Sequence, residues 1–497
     1  MSETMAGALT TDAGTGVIVK PFTVTDGSGQ VWELVVGLEV HCELATETKI
    51  FCGCANRFGS EPNTNVCPVC LGLPGSLPVL NRQVVELAMR LGRALRCRVE
   101  PSVFHRKNYF YPDMPKDYQV SQYDRPINVD GELELPDGSV VGIERAHLEE
   151  DTGKSTHVGG GGRIHDALHS LVDYNRAGVP LVEIVGRPHI RTPEQARAYV
   201  QELRAVLLAT GASDAKMEEG SMRVDANVSI RRAGTDELGT RCEIKNLNST
   251  RSLVRAIEHE ARRQVDLLSA GERIVQQTRH WDEAEGRTQT LRSKEEADDY
   301  RYFPEPDLVP LEPDVAWVAA VDAALPALPA ARRRALSERT GAGQATAALV
   351  VERDLDALVL AAVDAGGDPD RLLTRAANDL AGADVGALTP AAFAAVSRME
   401  ADAALTATQA KAVLAELVAG GGDPRAIAAA RGFEAMGEAE LAAAVDEAVA
   451  SDPAAWQRFV AGDPKVAGLF VGKVMKATSG KADGKAVSAL LRQRAAG

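Results

Sequence analysis

The stretch VWELVVGLEVHCEL (residues 31–44) decides how the chain is read. Strand side chains alternate with period two, so Glu39, His41 and Glu43 share one face while Leu38, Val40, Cys42 and Leu44 share the other. The second face is a core face. Two carboxylates beside an imidazole repel or lose charge unless a cation or donor joins them, which points to a divalent metal or a catalytic site. An ordinary sheet with one wet face shows the same alternation, so acids elsewhere in the chain must decide.

At 497 residues the chain exceeds one core, and about three folding units are expected. Its hydrophobic fraction (45%) and charged fraction (25%) are those of a soluble globular protein. No uncharged apolar run reaches the ~20 residues of a spanning helix, and the N-terminus lacks the pattern of a signal peptide, so a cytoplasmic protein without membrane contact is expected. A net charge of −15 argues against a general nucleic-acid coat but leaves room for a local basic surface.

Of seven cysteines, Cys42, Cys97 and Cys242 are scattered and read as packing residues. The other four form a C-x-C and a C-x-x-C pair, Cys52, Cys54, Cys67 and Cys70, around a polar loop. Four thiolates close a tetrahedral shell around Zn²⁺ and leave no place for water, which makes the expected role structural; an iron–sulfur cluster is the alternative. Residues 105–127 interleave Arg106, Lys107, Lys116 and Arg125 with tyrosines including Tyr111, a composition suited to stacked bases or a nucleotide and equally to a packed irregular surface.

In HLEEDTGKSTH the triplet Gly153-Lys154-Ser155 imitates the end of a P-loop, but Leu148 stands where the leading glycine belongs and Glu149, Glu150 and Asp151 occupy the phosphate's approach. The acids suit a cation that itself holds phosphates. Glu183 is the one acid in an apolar strand and needs a partner. Asp225, Asn227 and Ser229 give another strand a polar face. Thr192, Pro193 and Gln195 start a helix as N-cap, N1 and capping-box partner, with Gly211 as its stop. From about residue 316 the sequence turns Ala-rich and helical, and after Asp463 lysines dominate, Lys473, Lys476 and Lys481 among them, as an electrostatic RNA contact or a solvated face requires.

The expected class is therefore α+β: a mixed or antiparallel-sheet catalytic cradle, then an all-α domain and a small α-helical tail. The expected divisions are a disordered leader (1–29), the sheet domain with its cysteine-rich insert (30–315), a helical domain (316–425) and a basic tail (426–497), of which the resemblance given next implies that the second is a catalytic cradle with a zinc insert and the last binds tRNA.

Taken together, GLEVHCEL, the paired cysteines, RKNYFYPDMPKDYQVSQYDRPI, HLEEDTGKSTH, NRAGVPLVEIV, MEEGSMRVDANVSIR, EIKNLNS and DDYRYFPEPDLVPL closely resemble the GatB/GatE family, the B subunits of aspartyl/glutamyl-tRNA amidotransferases. The resemblance implies a heterotrimer whose A subunit is an amidase (glutaminase) and whose C subunit is small. In it this chain would use ATP and Mg²⁺ to phosphorylate the side-chain carboxylate of misacylated Glu-tRNA(Gln) or Asp-tRNA(Asn), and ammonia released by the amidase would then form the amide. Carried over by position, His41, Glu150 and Glu183 are the implied Mg²⁺ ligands. Glu39, His41 and Asp225 are the implied catalytic residues, and Cys52, Cys54, Cys67 and Cys70 the zinc site. Arg106, Lys107 and Tyr111, from the interleaved loop, and Lys473, Lys476 and Lys481, from the basic tail, are the expected tRNA or nucleotide contacts on composition and charge. The Ser/Gly-rich run of an amidase nucleophile is absent, in keeping with a separate glutaminase. Two other readings remain open at this point: a stand-alone metal hydrolase built on Glu39, His41 and Glu150, and a non-catalytic, zinc-stabilised RNA scaffold.

Overall fold

A computed structural model describes residues 10–11, 18–159, 167–293, 300–433, 437–461, 466–478, 482 and 484–496. The chain divides into two compact units, Met1–Ala330 and Ala331–Gly497. The strands are β1 (Thr10–Thr11), β2 (Ile18–Val19), β3 (Thr23–Thr25), β4 (Val31–Glu43), β5 (Arg98–Val99), β6 (His105–Asn108), β7 (Tyr118–Ser121), β8 (Asn128–Glu134), β9 (Val140–Glu150), β10 (Lys154–Val158), β11 (His169–Asp173), β12 (Pro180–Gly186), β13 (Met222–Arg232), β14 (Cys242–Lys245), β15 (Gln277–Asp282), β16 (Arg287–Ser293) and β17 (Phe303–Pro304).

Thirteen of these form one sheet in the order β16-β15-β14-β13-β4-β12-β9-β7-β6-β17, with β3 on β4, and β8 joining β5 to β9. The pair β14–β15 is parallel and the others are antiparallel, so the sheet is mixed and the α+β expectation holds. The short segments β1–β2 and the hairpin β10–β11 stand apart from it.

β4 is the longest strand and sits between β12 and β13. Leu38, Val40, Cys42 and Leu44 are at most 1% exposed. They join one apolar cluster with three helices, α1 (Arg82–Ala94), α2 (Pro193–Thr210) and α3 (Thr250–Ser269). Each such aliphatic side chain removed from water contributes about 1.5–3 kcal/mol. The other face is dry at its N-terminal end, where Val35 is buried and Glu33 pairs with Arg231 at 3.1 Å. It turns polar only from Glu39 onward.

Local signals set the helix ends. Asn81 caps α1 and Ser249 caps α3, each accepting a backbone N–H two or three residues on. Thr192 caps α2, Pro193 opens it and Gly211, at φ 66°, closes it. The expected reciprocal bond from Gln195 lands one residue early, its Oε1 accepting the Arg191 N–H at 2.8 Å.

Two expectations differ from the structure at their edges. Residues 20–29 lie within the span read as a disordered leader, yet β3 pairs with β4 and Phe22 packs against the core. Helix α4 (Val315–Ala323) is Ala-rich but belongs to the first unit, with Arg93 bonding Asp322 at 2.7 Å and Arg82 over the Trp317 ring. The second unit is helical from Pro329–Thr340 to Gly484–Ala496 and holds two apolar clusters, one around Phe393 and Leu414 and one around Phe470 and Leu491.

Candidate active site and metal centres

Register fixes what meets on the polar face. Glu183 stands opposite His41 on one side and opposite His147 on the other. Arg223 and Asp225 stand opposite His41 and Glu39. Directly opposed residues of an antiparallel pair point to the same side, so Arg223, His41, Glu183 and His147 form one row across four strands. Leu181 lies between Glu43 and Glu149 in the next row.

In this cluster His41 Nε2 is 3.5 Å from Glu183 Oε2 and 3.7 Å from Glu149 Oε1. His147 Nε2 is 3.4 Å from the same Glu183 oxygen. One ligand atom each from His41, Glu149 and Glu183 lie within 4.8 Å of one another. Burial favours a neutral His41 ring, but hydrogen bonding to Glu183 and the surrounding carboxylates outweigh it and raise the imidazolium pKa to about 9. Burial and the Glu183 charge push the Glu149 carboxyl up to about 7, while burial drops His147 to about 4. Glu183 stays ionised because the two imidazoles outweigh its burial. One imidazole and two carboxylates that leave further coordination positions open fit a hard divalent cation such as Mg²⁺ or Mn²⁺.

Glu150 does not join them. It follows Glu149 on the same strand and so turns to the opposite face, where it pairs with Lys116 and accepts the Val120 N–H at 2.8 Å. Glu150 and Lys116 border a small half-open pocket together with Phe51, Cys52, Cys70 and Tyr118. Of the residues expected to share an ion, His41 and Glu183 thus stand together with Glu149, while Glu150 faces the other way.

Beside this cluster, Lys245 Nζ lies 2.6 Å from Asp225 Oδ2 and 3.0 Å from Glu243 Oε1. Asn227 donates to Glu39 Oε1 at 2.8 Å. Burial, then Glu183, raises the Glu39 carboxyl above its ordinary range. On the other flank Arg223 and Arg176 share buried Asp151 at 3.1 and 3.3 Å, and burial pushes Glu43 up to about 7. His147, Arg223 and Lys245 carry no motif, and alternation along their strands was the only available signal.

The four cysteines cluster with all sulfurs within 4.8 Å of one another, as free thiols. Cys67 and Cys70 Sγ are 3.9 Å apart. Thiolates at ~2.3 Å from a tetrahedral Zn²⁺ stand about 3.8 Å from each other, so the donor set fits that ion. Cys42, Cys97 and Cys242 are buried packing residues.

Among the expected nucleic-acid contacts, Arg106 is held by Glu305 at 2.7 Å and lies over the Tyr118 ring. Lys107 Nζ is 4.8 Å from the Tyr300 ring centre, and its charge acts on Glu149 and Glu183. Tyr111 is 55% exposed and edge-on to Tyr109, near a Tyr123–Tyr302 stack. In the second unit Lys473 pairs with Asp452 at 3.0 Å and Lys476 is exposed. Lys481 lies outside the described residues. No helix among the described residues is long and apolar enough to cross a membrane.

Two family profiles match the chain: one described as "GatB/GatE catalytic domain" over residues 34–319, and one described as "GatB domain" over residues 372–494. Proteins named as the B subunit of aspartyl/glutamyl-tRNA(Asn/Gln) amidotransferase resemble it nearly end to end. The one from Salinispora arenicola is 51% identical over 93% of this chain and 96% of its own length. That of Nocardia farcinica is 49% identical over 93% and 95%, and that of Thermobifida fusca 48% over 93% and 94%. With the cradle sheet, its acid–histidine row and both profiles in agreement, the chain belongs to the GatB/GatE family of tRNA-dependent amidotransferase B subunits.

Proposed function

We propose that this chain carries the amide-forming half of a glutamine-dependent amidotransferase. It would use ATP to phosphorylate the side-chain carboxylate of misacylated Glu-tRNA(Gln) or Asp-tRNA(Asn), and then let ammonia displace the phosphate. A carboxylate is a poor electrophile, and phosphorylation supplies the leaving group. The observation that carries this reading is the convergence of His41, Glu149 and Glu183 from three neighbouring strands at mutual ligating distance.

Those three residues would hold a divalent ion, which supplies charge neutralisation for a polyphosphate and for the charge that develops during phosphoryl transfer. His147 stands 3.4 Å from Glu183 on the far side and favours its ionised form. Glu39, whose carboxyl is raised by burial, is suited to accept the proton that attacking ammonia releases, since a base is most effective when its pKa approaches the working pH. Asp225, clamped by Lys245, keeps that flank polar and ordered. Glutaminase chemistry belongs to a partner amidase, and a small third polypeptide would complete the assembly. The cysteine cluster would hold a structural Zn²⁺, and the second unit, with its exposed Lys476, would meet the tRNA.

In the reconstituted complex, His41→Ala or Glu183→Gln should lower ATP-dependent amidation of Glu-tRNA(Gln) at least about a hundredfold while basal glutamine hydrolysis stays intact. Normal amidation by either variant would overturn the assignment. Metal analysis should find zinc in the purified chain; zinc-free protein with an unchanged melting temperature would remove that part of the reading.

A further inference from the structure

Lys49 is fully buried, and among the described residues it makes no ion pair with a carboxylate. A buried ammonium without an anion costs several kcal/mol, so the fold must offset it locally. Its surroundings name the anion. The Lys49 backbone N–H donates to the Cys54 carbonyl at 3.0 Å, and its Nζ donates to the Asn65 carbonyl at 2.8 Å, two residues ahead of Cys67. One residue thus bonds to both cysteine-bearing turns. Asn65 is itself held, its N–H donating to Asn175 Oδ1 at 2.8 Å. The stem borders the cluster as well. A Cβ placed on Gly178 would stand 3.5 Å from Cys70 Cβ and 3.6 Å from Lys49 Cδ.

We propose that Lys49 is the counter-ion and positioning residue of the four-cysteine centre: its ammonium offsets the negative charge that four thiolates retain around a divalent metal, and its hydrogen bonds hold both cysteine pairs at ligating spacing. The inference rests on reading the cluster as a metal centre.

The test uses the whole complex, stripped of metal under reducing conditions and titrated with Co²⁺, whose thiolate charge-transfer band counts bound sulfurs. Lys49→Gln keeps a donor for the Asn65 carbonyl and removes the charge, so Co²⁺ affinity should fall about tenfold or more. Lys49→Arg should restore most of it. A second background guards against misfolding. Cys54→His removes one negative charge, so the penalty for Lys49→Gln should shrink there, and the double variant should fold where the single one does not. Wild-type affinity in Lys49→Gln, or equal penalties in both backgrounds, would overturn the counter-ion role. Wild-type protein without the band would instead overturn the metal centre itself.

Discussion

Glu149 and Glu150 are adjacent in sequence and serve opposite faces of the same sheet: Glu149 Oε1 lies 3.7 Å from His41 Nε2, whereas Glu150 is sealed beneath against Lys116. Glu149→Gln should weaken Mn²⁺ binding at least about tenfold and leave the melting temperature nearly unchanged. Glu150→Gln should do the reverse, costing about 3–5 kcal/mol by stranding a buried ammonium. Calorimetric titration and urea denaturation separate the two, and a Glu150 variant that loses ion binding at full stability would count against the geometry.

Ion binding should depend on pH in a defined direction. In the empty cluster His41 carries its proton up to about pH 9 and Glu149 holds one to about pH 7. Both must leave when an ion binds, so affinity should climb from pH 6.5 towards pH 9 and flatten above it. Mn²⁺ titrations followed by electron paramagnetic resonance would measure this, and a flat profile across that window would contradict a protonated His41 and Glu149.

Asp225 and Glu243 both push the Glu39 carboxyl up, and Lys245 lies against each of them, at 2.6 and 3.0 Å, as their counter-charge. Lys245→Met should therefore move the acidic limb of the amidation pH profile to higher pH, with glutamine hydrolysis by the partner unaffected. A fall in rate without any shift of that limb would assign Lys245 a purely structural part.

Behind the sheet, Glu260 is buried and bonds Arg263 at 2.6 Å, with Gln264 and Thr288 also donating to it. Burial opposes its charge, but these partners hold its carboxyl below the ordinary value. Its contribution is accordingly full above the unfolded pKa of about 4.3 and is lost as pH falls through the lower folded value. Glu260→Gln should cost about 3–5 kcal/mol at pH 7, and the gap from wild type should narrow as the medium is acidified towards pH 3. Urea midpoints at several pH values would show it.

Much of this was legible because strands announce their faces. The alternation in residues 38–44 correctly separated the core residues from Glu39, His41 and Glu43, and the spacing of Cys52, Cys54, Cys67 and Cys70 anticipated their cluster. Parity within HLEE was not legible: two neighbouring acids look equivalent until the pairing of Leu181 with Glu149 sets which one faces His41. Cross-strand partners such as Lys245 and Arg223 depend on long-range register, which no local pattern encodes. The ion pairs of Arg106 with Glu305 and of Lys473 with Asp452 were likewise not legible, because the partners come from other elements.

Because His41, Glu183 and His147 stand on hydrogen-bonded neighbouring strands, their separations are inherited from the backbone lattice and need no moving segment to assemble them. Deleting a single residue ahead of position 39 would carry Val40 and Cys42 to the wet side and bury the imidazole among the helices. The reactive constellation and the hydrophobic core are two sides of one ladder, so neither can drift in evolution without the other.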